Sequence, residues 1–175
     1  MVLKGKHVGV FVGPGFEDLE FWVPYMRLKE EGARVTVIGT AAGATYSSKH
    51  GCLHATSDAA AKDVDTSGIA GVVVPGGWCP DRIRRDEHVK RIVRECYDAG
   101  KTVGLICHAG LVGISTGIVK GHNATGSEGI KDDLINAGAS WKDEAAFVDG
   151  NIVWGRVVED IPDFCRLLVQ ELAKE

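Results

Sequence analysis

Short apolar runs alternate along the chain with longer segments in which apolar residues recur at helical spacing. The runs at residues 7–12, 34–38 and 69–74 have the length of buried strands, and glycine or proline follows each of them. The segments 17–31 and 86–99 have the spacing of amphipathic helices, and the glycine after each suits a helix end. This alternation predicts an α/β fold of three layers, in which a mostly parallel sheet carries helices on both faces.

The remaining segments add smaller elements to a single domain that spans residues 1–175. Residues 39–55 mix glycine, serine, threonine and alanine around two short β-like pieces, which is typical of a loop or a small hairpin insertion. An Asp-Gly pair between two apolar runs predicts a β-hairpin over residues 147–154. The other predicted elements are a short strand at 123–125 and helices at 129–137 and 161–173.

The apolar run 103–106 ends in Cys107 and is followed by small residues, which predicts a buried strand that turns sharply into a helix. Such a nucleophile elbow would lift the Cys107 sulfur to the edge of the sheet, beside free N–H groups at a helix start. The helix dipole favours an anion there, so we expect the pKa of this thiol to lie below that of a free cysteine. The alternative is a buried, unreactive cysteine, because free cysteine is among the most buried residue types.

Composition and charge exclude several classes of function. The formal net charge is −4 and the chain has no basic run, so a nucleic-acid partner is not expected. No apolar stretch reaches membrane-spanning length and the first residues lack a signal-peptide pattern, so we expect a cytoplasmic protein without membrane contact. The five cysteines are widely spaced, without a Cys-x-x-Cys pair, and indicate reduced thiols rather than a disulfide framework or a metal site.

Three predicted strand ends carry polar or glycine-rich residues. They are the segment 13–17, the segment 76–81 and the Cys107-His108 pair. In open sheets of parallel strands, binding sites lie beyond the carboxyl ends of the strands. We therefore expect these three segments to converge on one site.

Two kinds of group in these segments suit chemistry at a thiol. The Glu17 carboxyl would have its pKa raised beside a thiolate and would move a proton, although an ordinary first-turn acid at a helix start is the alternative. Gly76 and Gly77 allow a close backbone approach, so their N–H groups are candidates for an oxyanion hole. A plain tight turn is the alternative for this glycine pair.

Five short motifs occur along the chain in a fixed order. They are Gly-Phe-Glu-Asp at 15–18, Lys-His-Gly at 49–51, Val-Pro-Gly-Gly at 74–77, Ile-Cys-His at 106–108 and the run from Gly-Ile-Lys-Asp-Asp to Ala-Gly at 129–138. In this combination the chain resembles the PfpI intracellular protease and protein deglycase family, a branch of the class I glutamine amidotransferase-like superfamily. The resemblance covers nearly the whole chain and implies a flavodoxin-like α/β sandwich.

The resemblance also implies roles for four side chains. Cys107 corresponds to the family nucleophile, His108 to the histidine directly after it, and Glu17 to the acid that hydrogen-bonds the thiol. In this family an acid from a neighbouring subunit completes a Cys-His-acid triad, and Asp81 occupies that position here. Aspartate is one methylene shorter than the family's glutamate, so its reach to His108 stays open, with a helix cap as the alternative. A homo-oligomer, either a dimer or a hexamer, follows from the same resemblance.

The chain departs from the family pattern at two places. Ala109-Gly110 stands where the family commonly has Gly-Pro, and Ser127-Glu128 replaces a Tyr-Pro pair whose tyrosine lies near the thiol in relatives. Ser127 would open the pocket and Glu128 would add a charge, so we expect a shifted substrate preference. Trp78, in the loop after the Pro-Gly-Gly turn, is a further candidate for the pocket lining.

The first functional hypothesis is an enzyme that acts on reactive carbonyls. The Cys107 thiolate would add to methylglyoxal or glyoxal, or to the adducts that these form on proteins, and hydrolysis would release a hydroxy acid. Glu17 and His108 would move protons, while N–H groups near the Pro-Gly-Gly turn and His108 would stabilise the oxyanion. This chemistry requires no cofactor and no metal, and its partner is a small carbonyl or a glycated protein or peptide.

Two other functions use the same thiol. Peptide hydrolysis is the second hypothesis, although neighbouring side chains on a turn point in different directions, which makes a bond between His108 and the Cys107 thiol difficult. The third is a non-enzymatic stress or chaperone protein in which Cys107 is a redox sensor, oxidised to a sulfinate that Glu17 stabilises. A glutaminase of the same superfamily needs a His-x-Glu pair on a late loop. None of the six histidines is followed two residues later by glutamate, so this function is excluded.

Overall fold

A seven-stranded sheet forms the centre of the molecule in a computed structural model that describes residues 1–174. In chain order the strands are β1 (His7–Phe11), β2 (Arg34–Gly39), β3 (Thr45–Ser47), β4 (His54–Thr56), β5 (Ala59–Ala60), β6 (Gly71–Val74), β7 (Thr102–Ile106), β8 (Asn123–Ala124), β9 (Ser140–Trp141), β10 (Ala146–Asp149) and β11 (Ile152–Gly155). The sheet has the order β10-β11-β7-β6-β1-β2-β5. All its neighbouring strands are parallel except the β10–β11 pair at one edge, which confirms the predicted sheet.

Helices cover both faces of this sheet. They are α1 (Asp18–Glu30), α2 (Cys79–Ile83), α3 (Glu87–Asp98), α4 (Gly110–Thr116), α5 (Lys131–Asn136) and α6 (Ile161–Lys174). On β7, Gly104 faces Phe164 of α6, whereas the next residue, Leu105, contacts Gly113 of α4. Successive strand residues point to opposite faces, so α6 and α4 lie on opposite sides of the sheet and the fold has three layers. Within residues 1–174, no helix has the length and apolar character needed to cross a bilayer.

Most predicted elements are present, with shifted ends. The strand predicted at 69–74 is shorter, and the helix predicted at 129–137 begins as a 3-10 turn (Glu128–Ile130) before α5. The insertion is a small antiparallel hairpin of β3 and β4, and β10 and β11 form the second predicted hairpin. Sequence patterns did not reveal β5 or α2, and α2 occupies part of the segment predicted as a loop.

Helix α1 buries a different face from the one its larger apolar residues indicate. Its buried side carries Phe21, Pro24 and Leu28. Three apolar side chains on the other side are exposed to solvent, and they are Leu19, Val23 and Met26, with exposed fractions of 47%, 39% and 61%. Their spacing of four and three residues aligns them along one stripe of the helix. The molecule therefore presents an apolar helix face to its surroundings.

The three segments expected to converge do meet at the carboxyl edge of the sheet. The Glu17 N–H donates to the Gly76 carbonyl at 3.2 Å, and the Trp78 N–H donates to the Gly15 carbonyl at 2.8 Å. Cys107 reaches the same edge from β7, because β7 pairs in parallel with β6. The loops after β1, β6 and β7 thus form one surface.

A polar network holds the opposite side of the fold together. His122 lies between Tyr97 at the end of α3 and Asp149 at the end of β10, with its Nε2 2.7 Å from the Tyr97 hydroxyl and its Nδ1 2.9 Å from Asp149. The second Asp149 oxygen accepts hydrogen bonds from the backbone and side-chain N–H groups of Asn123. All four residues are half-buried, so each depends on the others to satisfy its polar atoms.

Replacing His122 with alanine should lower the free energy of unfolding by about 1–3 kcal/mol, because the Tyr97 hydroxyl and one Asp149 oxygen would lose their partner. Urea unfolding followed by circular dichroism measures this. His88→Ala is the control, since His88 is exposed in the first turn of α3. Equal stabilities of the two variants would contradict a structural role for the network.

Candidate active site

Cys107 lies in a strained turn between β7 and α4. Its φ angle is 60°, in the left-handed region that residues with a side chain seldom adopt. Strain of this kind costs on the order of 1–3 kcal/mol and persists only where the surrounding structure enforces it. Here the Cys107 carbonyl accepts a hydrogen bond from the Ser127 N–H at 3.2 Å, and a short 3-10 turn (Cys107–Ala109) leads into α4. The predicted nucleophile elbow is confirmed.

Backbone N–H groups surround the Cys107 sulfur. Those of Gly77 and His108 lie near it and act to lower the pKa of the thiol. Their service as oxyanion-hole donors to a substrate oxygen stays a prediction. The Gly76 N–H is instead bonded to Glu20 Oε2 at 2.8 Å, so the prediction that it serves as an oxyanion donor was wrong. Gly76 contributes by its small size, since a Cβ there would lie 2.7 Å from the Cys107 Cβ.

The acid beside the thiol is Glu20, not Glu17. Glu17 is the N-cap of α1, where one carboxylate oxygen accepts the N–H groups of Leu19 and Glu20 at 2.8 and 2.9 Å. Glu17 lines the thiol cavity, but one of its carboxylate oxygens caps the helix. This agrees with the alternative prediction of an ordinary acid at the helix start. Glu20 lies one turn later, fully buried beside Cys107, with one carboxyl oxygen bonded to the Gly76 N–H and the other, Oε1, without a hydrogen-bond partner among residues 1–174. The residue assignment made for the thiol partner was therefore wrong.

Cys107 and Glu20 share an environment in which neither group ionises readily. Burial, followed by the charge of Glu17, raises the pKa of Glu20 to about 7. Burial and the Glu20 carboxylate raise the pKa of the Cys107 thiol to about 12. The expectation of a lowered pKa was wrong, because these effects outweigh the two N–H donors. The groups titrate as a pair, so above about pH 7 one proton remains between sulfur and carboxylate.

His108 reaches the thiol despite being the next residue in the chain. Its Nδ1 lies 3.3 Å from the Cys107 sulfur, so the expectation that adjacent side chains diverge was wrong. Burial and the nearby charge of Lys49 lower the pKa of His108, which favours the neutral imidazole at neutral pH. A neutral ring at this distance is able to accept the thiol proton.

The thiol opens into a cavity of about 340 Å³. Trp78 and Ser127 line it, as expected for two of the three pocket candidates. Glu128, the third, does not line it but lines an adjoining cavity of about 420 Å³. Lys49 also lines the thiol cavity, where its charge acts to lower the pKa of both His108 and Glu20.

Asp81 lies on the exposed surface of α2 in the isolated chain. Its carboxylate is 2.7 Å from the Arg85 guanidinium, one turn further along, and its side chain is 58% exposed. It does not line the thiol cavity of its own chain. Its predicted contact with His108 across a subunit interface stays a prediction.

A second carboxylate fastens the hairpin insertion to the site. Asp18 accepts hydrogen bonds from Ser48 Oγ at 2.6 Å and from His50 Nδ1 at 2.8 Å. These bonds outweigh partial burial and hold the pKa of Asp18 below its ordinary value. Ligand atoms of Glu17, Asp18 and His50 come within 4.8 Å of one another, yet the Asp18 oxygens already have these partners. We therefore assign this cluster a structural role in positioning Lys49.

Two residues of the site were missed by sequence analysis. Glu20 lies four residues before Pro24, which lies four residues before Leu28, so all three share the buried face of α1. A glutamate at a core-facing position is the signal that identifies it. Lys49 belongs to the Lys-His-Gly motif, but nothing in the chain pattern shows that the hairpin brings it to the thiol.

Glu20→Gln should change how stability depends on pH. The folded protein binds the Glu20 proton up to about pH 7, whereas the free group releases it near 4.5, so wild-type stability falls as pH rises between these values. Glutamine keeps an acceptor for the Gly76 N–H and removes the titration. Relative to wild type, the variant should therefore gain about 3 kcal/mol of unfolding free energy between pH 4 and pH 8.

Urea unfolding at a series of pH values measures this difference. The control is Glu30→Gln, which removes an exposed carboxylate at the other end of α1. If the wild-type and Glu20→Gln stabilities ran parallel across the whole range, Glu20 would not hold a proton at neutral pH.

The comparisons with known proteins agree with this geometry. Residues 6–171 match the model of the DJ-1/PfpI family. The chain is 39% identical to the deglycase PfpI of Pyrococcus furiosus over 90% of this chain and 93% of the relative. It is 37% identical to YraA of Bacillus subtilis, named as a candidate cysteine protease, over 92% of this chain and 95% of the relative.

Among solved structures, a two-domain protein from Anabaena variabilis, with DJ-1/ThiJ/PfpI-like and ferritin-like domains, superposes with a TM-score of 0.94 at 35% identity. The match covers 95% of this chain and 48% of that one, so this chain spans about half of the two-domain protein. The family model and the curated relatives cover nearly the whole chain described here. The chain belongs to the DJ-1/PfpI family.

Proposed function

We propose that the protein is a cysteine-dependent hydrolase that removes reactive carbonyl groups, acting on methylglyoxal or glyoxal or on the adducts that these form on proteins. The observation that carries this is the Cys107 sulfur, which lies in an open cavity 3.3 Å from His108 Nδ1, beside Glu20 and near the backbone N–H groups of Gly77 and His108. Membership of the family and the deglycase name of the Pyrococcus furiosus relative support this at the level of the family.

The proposed reaction begins with transfer of the thiol proton. A thiol whose pKa is raised becomes a nucleophile when a base removes its proton during attack, and Glu20 and neutral His108 are both in contact with Cys107. The sulfur then bonds to the aldehyde carbon. The carbonyl oxygen gains the negative charge, which the N–H groups of Gly77 and His108 are placed to stabilise.

The later steps need no external oxidant or reductant. A proton moves from the former aldehyde carbon to the neighbouring ketone carbon through an enediol, so the first carbon is oxidised to a thioester and the second is reduced to an alcohol. Water cleaves the thioester, which releases a hydroxy acid and restores the Cys107 thiol. On a protein adduct, the carbon–nitrogen bond breaks as the sulfur takes the place of the amine. The proposal thus involves no cofactor.

Peptide hydrolysis is the second candidate for this site. The 3.3 Å contact between Cys107 and His108 favours it, because a thiol–imidazole pair is the core of cysteine peptidase chemistry. The name of YraA supports the same activity at the level of the family. In this alternative, Asp81 of a second copy would orient His108.

A redox-sensor role ranks third. Oxidation of a thiol follows its thiolate character and its exposure. Burial and the Glu20 carboxylate keep Cys107 protonated, which slows its reaction with peroxide. The raised pKa of this thiol therefore counts against a sensing role.

Cys107→Ser should lower the production of lactate from methylglyoxal by at least about 1,000-fold, because the nucleophile is lost. An enzymatic lactate assay measures this. Cys52→Ser is the control, since Cys52 is an exposed thiol outside the cavity and its loss should change nothing. Turnover that survives in Cys107→Ser would contradict the mechanism, and turnover that a chelator abolishes would contradict its independence of metal.

We also propose that the protein acts as a cytoplasmic homo-oligomer. Five free cysteines suit a reducing compartment. The exposed stripe of Leu19, Val23 and Met26 on α1 favours an interface between two copies, because a helix face of this kind is stabilised by burial against a second one. The same helix begins at the thiol cavity, since Glu17 is its N-cap, Glu20 lies in its first turn and both line that cavity.

The double change Val23→Lys and Met26→Lys should shift the protein to the mass of a monomer in sedimentation velocity experiments, because it places two charges in the apolar stripe. Ile135→Lys on α5 is the control, since it changes another exposed apolar residue. An unchanged sedimentation coefficient for the double variant would exclude α1 from the interface.

A further inference from the structure

A second cavity adjoins the thiol cavity and is the larger of the two, at about 420 Å³ against about 340 Å³. Val157 lines both cavities. The segment 126–128 separates them, with Ser127 at the thiol cavity and its two neighbours, Gly126 and Glu128, at the second one. A molecule bound at Cys107 therefore has a second space beside it, reached past Ser127 and Val157.

The lining of this second cavity combines one aromatic face with opposite charges. The half-buried Trp141 carries the Lys131 ammonium over its ring, 5.9 Å from the ring centre. Arg156 also lines the cavity, but it is paired with Asp143 at 2.7 Å and with Asp160 at 2.9 Å. Its charge is thus already satisfied within the protein.

Glu128 and Lys131 are the charges left for a ligand. Neither forms an ion pair with any residue in the part of the chain that the structure describes. Glu128 is exposed and Lys131 half-buried. A lining with one free anion, one free cation and an indole face suits a ligand that is polar, neutral overall and longer than a three-carbon carbonyl compound. A polypeptide segment has this character, because its amide groups donate and accept hydrogen bonds.

We propose that the second cavity binds the peptide segment next to the residue that carries the carbonyl adduct. This deepens the proposed function and rests on it for the catalytic part of the test. The adduct occupies the thiol cavity, while the flanking residues lie past Ser127, between Glu128 and the Trp141–Lys131 pair. The enzyme then prefers adducts on peptides to adducts on single amino acids.

The test compares two substrates, the methylglyoxal adduct of N-acetylarginine and that of a capped pentapeptide with arginine at its centre. For Glu128→Gln and for Lys131→Gln, the ratio of kcat/KM for the peptide to kcat/KM for the single residue should fall by about 3- to 10-fold, through KM. Glu144→Gln and Lys142→Gln are matched controls, because each removes the same charge from an exposed position outside both cavities. Their ratios should equal that of the wild type.

A binding experiment separates failure of the subsite from failure of the proposed function. The unmodified pentapeptide is titrated into Cys107→Ser protein by calorimetry, with and without the Glu128→Gln or Lys131→Gln change. Weaker binding in these variants, but not in the two controls, supports the subsite even if wild-type protein turns over neither substrate. Equal peptide affinities and unchanged kinetic ratios in all four variants would overturn it.

Discussion

The left-handed backbone at Cys107 is the constraint on which the site depends. It holds the thiol at the edge of the sheet only because neighbouring turns come close without side chains in the way. A Cβ at Gly76 would collide with Cys107, and Gly77 adopts a φ of 71° that brings its N–H to the sulfur. The parallel strands β6 and β7 fix the spacing of these turns, and this spacing holds the Cys107 sulfur in one position.

The sequence predicted what local patterns encode. The strands, the two long helices and the elbow at Cys107 follow from apolar spacing and from glycine positions. Sequence patterns also placed the three loops at one edge of the sheet, but which side chain faces the thiol was assigned wrongly. Glu17 and Glu20 both begin α1, and only the packing of α1 on Gly76 shows which carboxylate faces the thiol. The pKa of Cys107 was misjudged for the same reason, because burial beside a carboxylate cannot be inferred from the residues next to it in the chain.

The pairing of Cys107 with Glu20 changes how reactivity at this site should be understood. A thiolate stabilised in advance would react with many electrophiles and oxidants. A buried thiol beside a carboxylate, with its pKa raised, is instead protonated at neutral pH and needs a base to take its proton during attack. His108 offers a second destination for that proton, with its own pKa lowered by burial and Lys49.

Asp18 anchors the β3–β4 hairpin, so the charge that this hairpin carries to the site is separate from the packing of the central sheet. Lys49 lies between the two anchored residues, Ser48 and His50, so its ammonium is carried by the hairpin and not by the sheet. Substitutions within this hairpin can alter the charge beside Cys107 while the central strands and their packing stay as they are. The insertion is thus a region in which new substrate preferences can evolve at little cost to folding.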